Sequence, residues 1–393
     1  MRIKTYIIVI GILFINFKML GQQSVFYTTD NYNSYEIKKF GLTVYNLNFI
    51  KNNEYFNFIA DGYTLLGTQL HSEFIYNNSK NTQFRAGVFL LKNFGENKID
   101  YAIPTFSFKY KLNNHHFTIG NIFAGNNHGT IEPILASEKI LSNQVIETGL
   151  QYKYNSHRFN LEVWLDWENY IRKNDDFKEV FTVGISGCIK ATQNLSFPVQ
   201  FLTRHKGGQI NKKLRDSENI TDIYNIHTIA IGSEYVIGKN TTHQLKLSYF
   251  FLAHTTDAPL SEYPFTKGNA SYIKATYKLN NFHGMIAYYT ANKFITAKGN
   301  EMFSSYSLKT NNNYWNGVLD NRYVNHTEPN RTLLFGKFFY EKTLAKNICF
   351  GAQVEGFLQL NESIDRVVTQ ENKKNNFDYS YGIYIRFNDV FNF

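Results

Sequence analysis

From about residue 41 onward, apolar and polar side chains alternate almost one by one. Phe106, Phe108, Tyr110 and Leu112 are separated by Ser107, Lys109 and Lys111. Phe159, Leu161, Val163 and Leu165 are interleaved with Asn160, Glu162 and Trp164. The same beat returns at Leu245–Phe251, Ile273–Leu279 and Phe350–Val354. A period of two predicts strands with one apolar and one polar face. Turn-forming clusters punctuate the runs: Asn113-Asn114, Asn155-Ser156, Gly238-Lys-Asn240 and Asn280-Asn281. Longer polar stretches near 123–146, 206–224, 253–270, 296–330 and 361–376 separate other pairs. Tight turns alternating with long loops are the layout of a transmembrane barrel.

Run length separates this reading from a soluble two-sheet sandwich or lectin-like domain, which would turn its apolar faces inward. Membrane strands need about 9–11 residues, whereas ordinary strands average about 5–6. The expected fold is therefore all-β, a transmembrane antiparallel β-barrel of about 16 strands, with 14 and 18 as the neighbouring even counts. The end of the chain supports closure. Tyr379, Tyr381, Ile383, Ile385, Phe387, Phe391 and Phe393 share one face, broken only by Asp389. One short helix is expected over residues 132–144, where Ile134, Leu135, Ile140 and Leu141 are apolar.

Composition sharpens the location. Charged residues make up 19%, and aromatic residues 17%, a surplus that suits the two interfacial belts of a membrane barrel. Residues 1–21 open with Arg2 and Lys4, continue with an apolar run over 6–17 and reach Gly21 before polar Gln22. That is the build of a secretory signal peptide, and the run is short for a spanning helix of about 20 residues. The expectation is Sec-type export, cleavage near residue 21, and one outer-membrane barrel domain over 22–393. The lipid bilayer and the barrel-assembly machinery are then the expected partners. The net charge of +9 includes three charges in the leader, and no block of basic residues exists, which excludes nucleic acid as a partner. Cys188 and Cys349 read as two lone thiols, with a disulfide as the alternative.

Candidate chemistry falls into three groups. The segment following Ile122 carries His128, Glu132, Glu138 and Glu147, with Pro133 fixing the backbone. It is either a loop folded into the lumen or a rim loop packed by its own Ile and Leu; the rim loop is the more ordinary arrangement. A second cluster is Glu162, Trp164, Asp166, Trp167 and Glu168. Trp164 among carboxylates could stack a sugar or hold a cation, but an interfacial belt position is the commoner use of Trp. The third group is basic residues in lumen-facing phase: Lys109, Lys111, Lys153, Arg158, Lys246, Lys274, Lys278 and Arg386. They predict a mildly anion-favouring interior.

No HExxH, CxxC pair, P-loop or GxSxG occurs. On that ground the chain reads as a non-enzyme with no metal and no cofactor. The leading functional expectation is a porin-like channel for small polar solutes. A structural or assembly component with a plugged lumen is the first alternative, and an outer-membrane barrel hydrolase is the second.

Several stretches carry a family resemblance: Glu54-Tyr-Phe, Gly62-Tyr-Thr-Leu-Leu-Gly67 and Gly87-Val-Phe-Leu-Leu-Lys-Asn-Phe-Gly95. So do Pro104-Thr-Phe-Ser-Phe, Gly120-Asn, His128-Gly-Thr-Ile-Glu-Pro133, Glu147-Thr-Gly-Leu-Gln151 and Trp164-Leu-Asp-Trp167-Glu. Across residues 50–190 the chain resembles an uncharacterised, Bacteroidetes-type family of porin-like outer-membrane β-barrels. The resemblance implies location and fold and transfers no activity.

Overall fold

A computed structural model describes residues 26–28, 39–175, 177–208, 210, 223–238, 242–307, 314–315, 318–319, 326–361 and 377–393. The strands are β1 (Phe40–Glu54), β2 (Tyr63–Asn77), β3 (Thr82–Asn93), β4 (Tyr101–Leu112), β5 (His115–Phe123) and β6 (Ile146–Asn155). Then come β7 (Phe159–Asn169), β8 (Glu179–Lys190), β9 (Leu195–Gly207), β10 (Tyr224–Ile237), β11 (His243–Thr256), β12 (Lys267–Leu279) and β13 (Phe282–Asn292). A two-stranded hairpin, β14 (Tyr314–Trp315) and β15 (Val318–Leu319), precedes β16 (Asn330–Ala345), β17 (Ile348–Gln359) and β18 (Phe377–Asn392).

Leaving that hairpin aside, the strands form one closed antiparallel barrel of 16 strands in which β1 pairs with β18. The predicted strand number and closing strand are both realised. In β18 the outward Tyr379, Tyr381, Ile383 and Ile385 are exposed, and the inward Asp378, Ser380, Tyr384 and Arg386 are buried. Alternation produces this because successive side chains of a strand point to opposite faces. Lipid requires an unbroken ring of paired backbone, so the sheet closes.

Connections alternate as the sequence implied. Residues 78–81, 113–114, 156–158, 191–194, 238–242, 280–281 and 346–347 join strands at one rim. Residues 55–62, 94–100, 124–145, 170–178, 208–223, 257–266, 293–329 and 360–376 join them at the other. In outer-membrane barrels the long-loop rim faces outward. The leader at 1–21 and most of the stretches near 206–224 and 361–376 lie outside the described residues. Two boundaries differ from expectation. The 253–270 loop shrinks to 257–266, because pairing between β11 and β12 continues to Thr255↔Lys267 after the apolar alternation has faded. The helix expected over 132–144 is instead a pair of short 3-10 turns, Ser137–Leu141 and Asn143–Val145. Here Gln69, on the β2 wall, donates to the Ile140 carbonyl at 2.8 Å, satisfying backbone that a helix would have bonded internally.

Among the described residues, two apolar clusters occupy part of the interior. Loop 124–145 folds inward and places Ile131, Ile134 and Leu135 in one apolar cluster with Met302 and Phe303 from segment 293–307. The wall contributes Trp164, Tyr272, Tyr289, Phe335 and Phe357 to it. The two loops are stitched to each other by Ala136 N to Lys298 O (2.8 Å) and Asn300 N to Glu132 O (2.9 Å). A second cluster joins Phe26, Tyr27, Ile140, Leu141 and Val145 to Tyr45, Leu47, Phe49, Phe89 and Tyr384.

One stretch of wall is irregular. The β4–β5 ladder runs only from Leu112↔His115 up to Ser107↔Gly120, and the β6–β7 ladder only from Asn155↔Asn160 up to Gly149↔Asp166. Beyond those points β5 and β6 pair only with each other, to Phe123↔Ile146. Glycine permits the departure. Gly120 has φ +106°, and a Cβ there would lie 2.2 Å from the Phe106 carbonyl oxygen. A Cβ at Gly149 would lie 2.3 Å from that of Leu165.

Candidate functional site

The inward loop brings together residues that lie far apart in sequence. His128 stacks on Trp164 with ring centroids 3.9 Å apart and planes within 7°. Its Nε2 lies 2.8 Å from Glu147 Oε2, and its Nδ1 lies 2.5 Å from Glu162 Oε1. Lys139 reaches the other oxygen of Glu147 at 2.5 Å, and Gln151 donates to Glu162 at 2.9 Å. The His128 side chain is fully buried. Burial alone would push its imidazole down, but the flanking carboxylates outweigh burial and raise it above its ordinary value. With a carboxylate at each nitrogen, the ring donates twice and is an imidazolium clasp lying flat on an indole, a cation–π arrangement. In this arrangement it has no nitrogen left to accept a proton.

The other loop carboxylates anchor elsewhere. Glu138 accepts from Asn53 Nδ2 at 2.9 Å and also meets Lys51 and the Tyr63 hydroxyl. Lys51 also lies 3.4 Å from Glu355, which pairs with Lys337 at 2.5 Å. Glu132 is buried and accepts from Ser137 N at 3.1 Å; burial raises its carboxyl above the usual range, more than the nearby Lys337 charge lowers it.

A third set lies on the outward part of β7. Asp166 Oδ1 accepts from Thr148 N at 3.1 Å, where the ladder to β6 ends. Lys298 bridges Glu168 (2.7 Å) and Asp166 (3.6 Å), and Arg204 adds a contact to Glu168 at 3.1 Å. Carboxylates beside an ammonium at the edge of a broken ladder are groups able to orient water and exchange protons.

His128, Glu147, Glu162 and Trp164 therefore meet in space, and loop 124–145 lies in the lumen rather than on the rim. Trp164 is interior, not in an interfacial belt; Trp167 is the exposed, lipid-facing one of the pair. Among the basic candidates, Lys153 lies 3.5 Å from Glu162 and Lys246 pairs with Glu234 at 3.1 Å. Lys274 is buried over the Phe250 and Tyr272 rings, and Arg386 donates to the Tyr27 carbonyl at 2.8 Å. Lys109 and Lys111 lie half-buried on β4 near the short-turn rim. Arg158 is exposed in the 156–158 turn rather than on the wall, because β7 starts only at Phe159. The thiols of Cys188 and Cys349 are free.

Sequence reasoning missed Lys51, Lys139, Lys298, Lys337 and Glu355. Lys51 and Lys337 occupy the inward phase, between Phe49 and Asn53 and between Phe335 and Phe339, so alternation could have found them. Lys139 and Lys298 sit in loops, where no period assigns a direction.

No curated protein matches the chain. Among solved structures it is similar to OprD of Pseudomonas aeruginosa, at 11% identity and TM-score 0.52, covering 93% of this chain and 99% of that one. It is also similar to a loop L8 deletion mutant of OmpT from Vibrio cholerae, at 10% identity and TM-score 0.47, covering 89% and 99%. The OprD likeness carries the fold, an outer-membrane barrel. A family model described as lipid A 3'-O-deacylase-type matches residues 32–393. That match overturns the expectation, drawn from missing short motifs, that the chain is not an enzyme: a barrel assembles its site from separate strands, and local motifs need not mark it. Matched along almost its whole length, the chain belongs to the lipid A 3'-O-deacylase-type family.

Proposed function

We propose that this protein is an outer-membrane hydrolase that removes an ester-linked acyl chain from lipid A or a glycolipid of the same build. The observation that carries the reading is the family match over residues 32–393. The apolar clusters inside the barrel support it. Loops 124–145 and 293–307 place buried side chains such as Ile134, Leu135, Met302 and Phe303 inside the barrel, an economy suited to holding a site rather than passing solute. The leading sequence expectation, passive passage along a polar lumen, finds support only in the barrel fold.

Hydrolysis needs water activated beside the ester carbonyl and a group that takes its proton. His128 is spoken for at both nitrogens. Asp166, with Lys298 and Glu168 beside it at the ladder's end, is the carboxylate we assign as base. The test is refolded protein in detergent with lipid A, read by mass spectrometry. Loss of one acyl chain from the product, abolished at least about a hundredfold in Asp166→Asn, is the expected result. Asn keeps an oxygen for Thr148 N, so the variant should still fold. Intact lipid A together with stepwise conductance in planar bilayers would replace this reading with the pore.

A further inference from the structure

The hairpin of β5 and β6 leaves the barrel wall partway up and enters the lumen. The Phe123 ring lies 5.1 Å from that of Tyr45 and 5.4 Å from that of His71, both on the inner faces of β1 and β2. Where this hairpin would have completed the wall, the ladders stop short, and that pairing implies a recess between the edges 101–106 of β4 and 167–169 of β7. It opens toward the long-loop rim.

The edges are adapted to the missing partner. Phe106 N donates to the side chain of Asn121 at 2.7 Å instead of to a ladder carbonyl. Amides two residues apart in a strand point the same way. Pro104, which has no N–H, therefore occupies the next position where a paired β4 would need a donor. The fully buried Thr105 hydroxyl, on the inner face of the same stretch, has no hydrogen-bond partner among the described residues. The recess floor is the exposed Thr148 and the half-buried Asn121, bonded to each other at 3.1 Å. Beside it stand Phe106, 64% exposed, and Trp167. Below it begins an apolar groove of about 570 Å³ lined by Phe74, Phe84, Phe106, Phe108, Ile119 and Gly120.

A polar floor opening onto an apolar groove, on the lipid side of the wall, matches one component of the surrounding leaflet. An acyl ester carries a carbonyl acceptor and then a hydrocarbon tail. Unpaired backbone facing hydrocarbon is costly, so a recess at this level calls for an occupant that brings its own polar group. We propose that the recess is a lateral binding site for an ester-linked acyl arm of an outer-leaflet glycolipid. The ester sits at Asn121 and Thr148, and the tail runs over Ile119 into the groove. The identity of the lipid rests on the hydrolase reading, and the placement sets the ester beside Asp166, which accepts from Thr148 N.

A second lipid-facing groove, about 460 Å³ and lined by Tyr235, Leu247, Tyr249, Ile273, Ile286 and Tyr288, lies over continuous ladders and serves as an internal control. The protein is reconstituted in phosphatidylcholine vesicles carrying lipid A with a diazirine in its acyl chain, irradiated, and mapped by peptide mass spectrometry. Crosslinks should favour peptides holding 101–106, 117–123 and 146–150 over the control groove by about tenfold, the ratio that 1.4 kcal/mol of preference gives. Thr148→Trp, a bulky group at an exposed position, should erase that preference while the heat-modifiable barrel band persists. Even labelling around the wild-type barrel would overturn the recess, whatever the deacylation assay says. Concentrated labelling without deacylation would keep the recess and sink the hydrolase reading. Should Thr148→Trp not fold, the wild-type map alone decides.

Discussion

The wall from β10 to β13 and the wall from β4 to β7 are written in the same alternating code, yet only one is continuous. Between β11 and β12 pairing runs from His243↔Leu279 to Thr255↔Lys267, the full height of the sheet. Between β4 and β5 it stops at Ser107↔Gly120. The difference lies in a few backbone-permissive residues and one aromatic stack. Glycines at 120 and 149 let the hairpin leave the wall, and Trp164 with His128 gives its loop a place to bind. Alternation specifies a face; it does not specify that the strand stays in line.

The largest expected effect comes from straightening the bend. Gly120→Val puts a branched side chain where φ is +106° and the Phe106 carbonyl is 2.2 Å from the new Cβ. It should cost at least about 3 kcal/mol and prevent recovery of the heat-resistant band on refolding. Gly284→Ala in β13, where nothing lies within 4 Å of the added carbon, should stay within about 0.5 kcal/mol. Equal losses would mean the bend is not held by glycine.

Next comes the stack. Trp164→Ala removes the buried ring beneath His128 and should cost about 3–5 kcal/mol in urea unfolding from detergent. Trp167→Ala, three residues on but facing lipid, should cost about 1 kcal/mol or less. A smaller step is Asn121→Ala, which strips the Phe106 amide of its acceptor and should cost about 1–2 kcal/mol. Hydrogen exchange sharpens the same contrast: the amide of Ala102, which points with Pro104 and Phe106 toward the missing partner, should exchange roughly tenfold faster than those of β11 and β12.

The smallest effect is pH-dependent. His128 and Glu132 both bind protons more tightly in the folded protein than in the unfolded chain. Their contribution to loop docking is therefore complete below their unfolded values, about 6.5 and 4.3, and is lost as pH rises through the higher folded values. The His128 share should weaken above about pH 6.5, and Trp164 fluorescence should rise at higher pH still, as the folded imidazolium above it, held up by its two carboxylates, loses its charge. His128→Gln should flatten that rise; a rise unchanged in the variant would assign it to another group.

The barrel was legible because its determinants are local: period-two patterning, turn pairs and an aromatic closing strand each leave a mark within a dozen residues. The site was half legible. His128, Glu147, Glu162 and Trp164 could be picked out by residue type, but their meeting depends on the inward turn of loop 124–145, which no period encodes. General frequency favoured Trp164 in a belt and the loop on the rim, and both were reversed by one contact, imidazolium on indole. Pro104 was the overlooked clue, since a proline in the outward half of a strand argues for an edge. The absence of short catalytic motifs misled about enzyme chemistry for the same reason that Lys298 was missed: its partners Asp166 and Glu168 are far away in sequence and adjacent only after closure.

Arg386 on the last strand holds the carbonyl of Tyr27, and Thr28 is bonded to Gly125 within the enclosed space. A cylinder sealed by β1 and β18 cannot easily admit such a tether afterwards. During biogenesis the early segment and the folded-in loop would need to be in position while the seam at β18 is still open. Zipping that final pair would then trap contents already gathered, and a mutation loosening those contents should slow assembly before it weakens the finished protein.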